Sequence, residues 1–147
     1  MFQSVKKSST YFMHSTEILK NHGIRLTETR QKILNTFLQS PEALSNEDIE
    51  KSLENLDRIT LYRTLKTFEE KGIIHKIPNS GNSPMYAICQ DNCTEHQHHD
   101  SHGHFHCLEC GKTVCMDHTD VPGIKVPEGY KVEQKHLILE GKCDVCS

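Results

Sequence analysis

Residues 57–77, DRITLYRTLKTFEEKGIIHKI, decide the fold, because the hydrophobic period changes within them. Leu61, Leu65 and Phe68 recur at helical spacing after Asp57, a good N-cap, and Gly72 stands just past the expected helix end. Beyond Gly72 the period drops to about 2 over Ile73–Ile77. A second short run, Met85–Ile88, follows the polar stretch Pro78–Pro84, so the two runs predict a β-hairpin. Working upstream, helices are expected from Ser15 to His22, after Thr27 (with Ile33, Leu34, Phe37 and Leu38 on one face), and from Ser45, where Asp48 completes a capping box. Helices followed by such a hairpin make a winged helix-turn-helix, whose last helix enters the major groove. Ile59, Leu61, Leu65 and Phe68 are read as that helix's apolar face, leaving Arg58, Thr60, Tyr62, Arg63 and Lys66 for other surfaces. An ordinary amphipathic helix with a solvated charged face is the plain alternative.

The rest of the chain differs in kind. Residues 1–80 hold 12 Lys/Arg against 10 Asp/Glu, whereas residues 81–147 hold 5 against 10. All seven Cys lie at or after Cys89, and eight of eleven His at or after His96. This asymmetry predicts two domains, parted within or just after Pro78–Pro84: an N-terminal arm (1–13) and winged-helix domain (14–83), then a hinge with a His-rich loop (84–100) and a Cys/His-rich domain (101–147) expected to bind zinc. No apolar run is long enough to cross a bilayer and no signal peptide is visible, so a soluble, cytoplasmic protein is expected.

Cys107-Leu-Glu-Cys110 and Cys143-Asp-Val-Cys146 are two C-x-x-C turns separated by 32 residues. Each turn pinches two thiolates together, and two turns can close an S₄ shell around one structural Zn²⁺. Gly111 suits such a knuckle because glycine tolerates positive φ. Two disulfides are the alternative, disfavoured where thiols stay reduced.

Several motifs then agree on a family. Ile59-Thr60-Leu61-Tyr62-Arg63-Thr64-Leu65 resembles the A-T-V-Y-R-T-L recognition helix of the ferric uptake regulator family. Gly23-Ile24-Arg25-Leu26-Thr27 with Arg30, Leu44-Ser45-Asn46-Glu47-Asp48-Ile49, and His104-Phe105-His106-Cys107-Leu108-Glu109-Cys110-Gly111 resemble further signatures, in family order from about residue 15 to residue 146. The resemblance implies an α+β fold, with an N-terminal winged helix followed by a small α/β dimerisation domain. It also implies a non-enzymatic homodimeric repressor on A/T-rich inverted-repeat operator DNA that controls metal-uptake genes. Arg25, Arg58, Thr60, Tyr62, Arg63 and Lys66 are the DNA-binding candidates.

Members differ in the metal sensed between the domains. Tyr86-Ala87-Ile88-Cys89 is similar to the Y-x-x-C of zinc uptake regulators, although Cys93 is a competing thiolate. His75 falls where zinc sensors carry an Asp ligand. His102 and His104 stand like the family's paired hinge histidines, and Cys115 occupies a place where iron sensors keep a Glu. Thiolate favours zinc over iron. The resemblance thus implies a regulatory Zn²⁺ at His75, Cys89, His104 and one of His102 or Cys115. Before Leu44 stands Ala43 instead of the His that iron sensors use. His106 is expected to face away from His104 in a packing role, and His96, His98 and His99 to form a weakly chelating loop. The rival readings are a regulator responding to Fe²⁺ or peroxide and, in another class, a zinc buffer without DNA specificity.

Overall fold

The computed structural model describes residues 14–77, 83–88, 102–133 and 135–147, with the backbone alone at 102 and 117–120. Helix α1 covers residues 14–21. It is followed by α2 (Glu28–Gln39), β1 (Leu44–Ser45), α3 (Asn46–Ser52), α4 (Arg58–Glu70), β2 (Ile74–Ile77) and β3 (Met85–Ile88). The second half contains β4 (His102–Cys107), β5 (Thr113–Asp120) and β6 (Ile138–Gly141). The expected α+β architecture is present. Among the described residues no helix is long and apolar enough to cross a membrane.

Local chemistry sets the helix starts. Thr27 Oγ1 accepts the Arg30 N–H at 3.3 Å. Ser45 and Asp48 form the reciprocal box, with the Asp48 N–H on Ser45 Oγ at 3.2 Å and the Ser45 N–H on Asp48 Oδ2 at 2.8 Å. Asp57 Oδ2 accepts both the Thr60 N–H at 2.9 Å and the Thr60 hydroxyl at 3.0 Å. Each cap satisfies backbone donors that the helix cannot pair itself. Helix α4 ends at Gly72 (φ 78°), and the Ile73 N–H reaches back to the Phe68 carbonyl at 2.8 Å. Such a turn requires the left-handed conformation that glycine adopts without strain.

Leu19, Ile33, Leu34, Phe37, Ile49, Leu61, Leu65, Phe68, Ile74 and Tyr86 form one buried cluster joining all four helices to the wing. The wing sheet has order β1-β3-β2, antiparallel throughout, and pairs His75 with Ala87. Strand β3 thus supplies the second arm of the hairpin expected from the sequence. Strand β1 is an addition that two residues could not announce by any period.

The second sheet has order β5-β4-β6, with β4 antiparallel to β5 and parallel to β6. It sets His104 opposite Cys115 and Phe105 opposite Val114. The described residues between β5 and β6 form neither helix nor strand. The two halves touch directly. The Ala43 N–H donates to the Thr113 carbonyl at 2.8 Å, and Lys112 Nζ lies 3.8 Å from Glu42 Oε1. Ala43, Ile77 and Ala87 form a small second cluster, against which Met85 and Cys115 pack.

Phe68 is fully buried where the helices meet the wing. Phe68→Ala is expected to cost about 3–5 kcal/mol in chemical denaturation, and Asp57→Ala about 1 kcal/mol through loss of the α4 cap. A Phe68→Ala loss below that of the cap variant would contradict this packing.

Candidate metal centres and nucleic-acid interface

Strand β4 delivers Cys107 into a turn that Cys110 completes, and β6 leads into the matching turn of Cys143 and Cys146. In the first turn the Gly111 N–H bonds the Cys107 carbonyl at 3.0 Å, with Gly111 at φ 75°. In the second the Cys146 N–H bonds the Cys143 carbonyl at 3.1 Å. The parallel β4–β6 pairing, His106 to Glu140 and Cys107 to Gly141, sets the turns side by side. All four are free thiols, and their sulfurs lie within 4.8 Å of one another.

The electrostatics already favour one thiolate. The backbone N–H groups of Cys110 and Cys143 hold the Cys107 thiol down at about 6, the latter at 3.3 Å from the sulfur. Cys110 ends above its ordinary value. The Lys112 N–H pulls it down, but the Cys107 thiol, burial and the Cys143 thiol outweigh that pull. Cys146 is pushed up to about 12, foremost by the Cys143 thiol and then by burial. Four crowded sulfurs cannot all be anionic without a cation among them.

A second cluster lies at the seam between the halves. His75 from β2 and His104 from β4 are both buried, and Cys115 of β5 is half-buried beside them. The imidazole Nε2 atoms are 3.2 Å apart, and Cys115 Sγ is 3.7 Å from His75 Nε2. All three donor atoms lie within 4.8 Å of one another.

These spacings can be compared with a zinc polyhedron. Zn–S bonds near 2.3 Å and Zn–N bonds near 2.0–2.1 Å give tetrahedral edges of about 3.8 Å between sulfurs, 3.3 Å between nitrogens and 3.6 Å between nitrogen and sulfur. Cys110 Sγ and Cys143 Sγ are 3.8 Å apart. One sulfur–sulfur distance in the first cluster and the nitrogen–nitrogen and nitrogen–sulfur distances in the second therefore match edges of a tetrahedral shell of this size.

Of the sequence-derived hinge ligands, His75, His104 and Cys115 converge. Cys89 and Cys93 lie outside the described residues, as do His96, His98 and His99, and His102 is described by its backbone alone. His106 overturns its expectation. Residues two apart on a strand share a face, so His106 lies on the side of His104, and its Nδ1 meets Thr113 Oγ1 at 2.8 Å. Its packing role stands, through that contact.

Helix α4 buries Leu61, Thr64, Leu65 and Phe68. Arg58, Thr60, Tyr62, Arg63 and Lys66 are exposed, as is Arg25 before α2. The Thr60 hydroxyl is committed to Asp57, and Arg58 Nε contacts Glu50 Oε1 at 3.3 Å while its side chain stays 85 % exposed. Ile59 does not belong to the apolar face assigned from the sequence; it is 61 % exposed. Two residues before Leu61, it sits about 160° away around the helix, and the count of apolar residues concealed that angle.

The comparisons agree with this geometry. The profile of the Ferric uptake regulator family matches residues 21–140. The chain is 31% identical over 140 residues to the ferric uptake regulation protein of Yersinia pestis, covering 88% of each. It is 29% identical over 142 residues to the peroxide operon regulator of Bacillus subtilis, covering 89% of this chain and 90% of that one. Among solved structures, a zinc uptake regulator complexed with zinc and DNA superposes with a TM-score of 0.65 at 22% identity, covering 94% of this chain and 93% of that one. The Vibrio cholerae ferric uptake regulator superposes at 0.57 with 24% identity, covering 86% and 98%. The winged helix, the paired cysteine knuckles and these matches together make the chain a member of the ferric uptake regulator family of metal-responsive transcriptional regulators, which are not enzymes.

Proposed function

We propose that the chain is a zinc-responsive repressor of the zinc uptake regulator type. It acts as a cytoplasmic homodimer on A/T-rich inverted-repeat operators of metal-uptake genes. One zinc is structural, held by Cys107, Cys110, Cys143 and Cys146. A second, exchangeable zinc is held by His75, His104 and Cys115, with Cys89 or His102 supplying the remaining ligand. The observation that carries this reading is the second cluster: two imidazoles and a thiol from both halves, at zinc-like edges.

The mechanism follows from what that site joins. His75 rides on the wing sheet, which packs on the helical core that carries α4; His104 and Cys115 ride on the sheet of the second half. When bound, zinc supplies a strong, directional crosslink among the three. The residues themselves restrict the orientation of α4 relative to the second half, and hence the separation of two reading helices in a symmetric pair. Without the crosslink the DNA-competent arrangement is one of several populated. In the groove, Arg63 and Lys66 are suited to phosphate or guanine, and Tyr62 to a phosphate or a thymine methyl. Thr60 contributes by its place in the cap more than by its hydroxyl. The names of the iron- and peroxide-responsive relatives favour a second reading, in which Fe²⁺ fills the same site; the thiol argues against it.

Operator affinity followed by fluorescence anisotropy against buffered free zinc is expected to rise with zinc. His75→Ala should abolish that rise while one tightly held zinc per chain remains. Affinity indifferent to zinc, but rising with Fe²⁺, would give the second reading. Arg63→Ala should weaken operator binding by about 1–3 kcal/mol without altering metal content, whereas Cys107→Ser should lose the tight metal and lower the melting temperature.

Because Cys107 is depressed to about 6 while Cys110 and Cys146 are raised, loading the four-sulfur site near neutral pH is expected to release at least about two protons per zinc, those of Cys110 and Cys146. Calorimetry in buffers of different ionisation enthalpy measures that number, and a value near zero would contradict the assignment. The sign follows from the raised thiols: acidification restores their protons, so zinc affinity at this site falls as pH falls.

A further inference from the structure

Ile59 stands out on α4 for its position as much as its exposure, since single exposed apolar side chains are ordinary on protein surfaces. At 3.6 residues per turn, Ile59, Tyr62, Arg63 and Lys66 fall within an arc of about 100°, roughly opposite the stripe of Leu61, Thr64, Leu65 and Phe68. That stripe is buried, whereas Ile59 and Tyr62 are 61 % and 62 % exposed. Ile59 is only the second residue of α4, next to the capped end. Arg58 adjoins it in sequence, and Arg63 and Lys66 flank its face. The face turns acidic only at Glu70, at the far end of the helix. A partner for this surface must therefore be anionic and still present an apolar group to its N-terminal end, beside Ile59. The major groove meets both demands. Its phosphates face the basic side chains, and among the groups on its base edges the C5-methyl of thymine is the apolar one.

Resting on the proposal that α4 reads operator DNA, we propose that Ile59 is a specificity-determining residue that packs against a thymine methyl in each half-site. The motif that this segment resembles has Ala there, so the larger side chain extends the reach of the helix at that point. Ile59 then selects thymine over cytosine at one position, and Arg63 and Lys66 supply affinity around it. The basis of selection is burial of the methyl group, which a cytosine at the same place does not offer.

The test uses the full-length, zinc-loaded protein and the duplex it enriches from a randomised pool. Each thymine of that duplex is replaced in turn by deoxyuridine, which removes only the C5-methyl, and affinity is measured by anisotropy. At one symmetry-related thymine pair, wild type is expected to lose about fourfold per half-site, the effect of burying one methyl group. Ile59→Ala should bind the unmodified duplex more weakly and be insensitive to the same replacement; Ile59→Val, which keeps branched methyl groups, should retain most of the sensitivity. Both variants should fold, because position 59 contributes nothing to the buried stripe. Methyl sensitivity that survives intact in Ile59→Ala would assign the contact to another residue and overturn the inference. So would an enriched duplex with no methyl-sensitive thymine at all. If the wild-type protein enriches no sequence, the DNA-reading proposal itself fails, a result distinct from either of these.

Discussion

The arrangement of the molecule turns on one meeting point, where His75 of the wing comes within 3.2 Å of His104 in the second sheet and 3.7 Å of Cys115. Two buried imidazoles and a half-buried thiol meet there, in a seam between two sheets. In the proposed function, a divalent metal held there would fix direction and distance, which ordinary van der Waals packing at this seam does not. Close by, Ala43 donates its N–H to the Thr113 carbonyl, and Cys115 packs on Ala43, Ile77 and Ala87. The backbone bond and the apolar contacts hold the halves in register without metal. In the proposed function, the His–His–Cys cluster adds a metal-dependent restraint at the same seam. A regulated regulator needs both: a contact that defines which faces meet and a bond that can be made or lost.

The halves owe their stability to different physics. The first has a continuous core in which Leu19, Ile33, Leu34, Ile49, Leu61, Leu65, Phe68 and Ile74 are almost wholly removed from water. Among the described residues of the second half, the buried ones are Gly103, His104, Cys107, Thr113, Val121 and Cys143, none of them a large hydrocarbon side chain. Ile124, Tyr130, Val132 and Leu139 stand largely exposed on the single chain. So small a core is marginal by itself. In the proposed function, a tetrathiolate zinc and a second copy of the chain would stabilise it.

How much of this could be read from the sequence depended on the range of each interaction. The starts of α2, α3 and α4 were legible because Thr27, Ser45 with Asp48, and Asp57 act within one helical turn. The cysteine knuckles were legible because C-x-x-C fixes its own local geometry. Strand β1 was not, since its two residues pair with β3 some 40 positions away and carry no pattern of their own. Ile59 departs from the expected stripe because its angle around the helix, and not its hydropathy, decides which side it faces. His106 was misjudged by parity along the strand. The convergence of His75, His104 and Cys115 was suggested by family resemblance, but only folding brings residues 29 and 40 positions apart to coordination distance.

Zinc-edge anomalous diffraction from the zinc-loaded protein locates each ion and its ligands. The proposed function requires one peak amid the sulfurs of Cys107, Cys110, Cys143 and Cys146, and another bonded to His75 from the wing and to His104 and Cys115 from the second sheet. A map whose only peak lies among the four sulfurs, or whose other peak draws every ligand from one half, would contradict it.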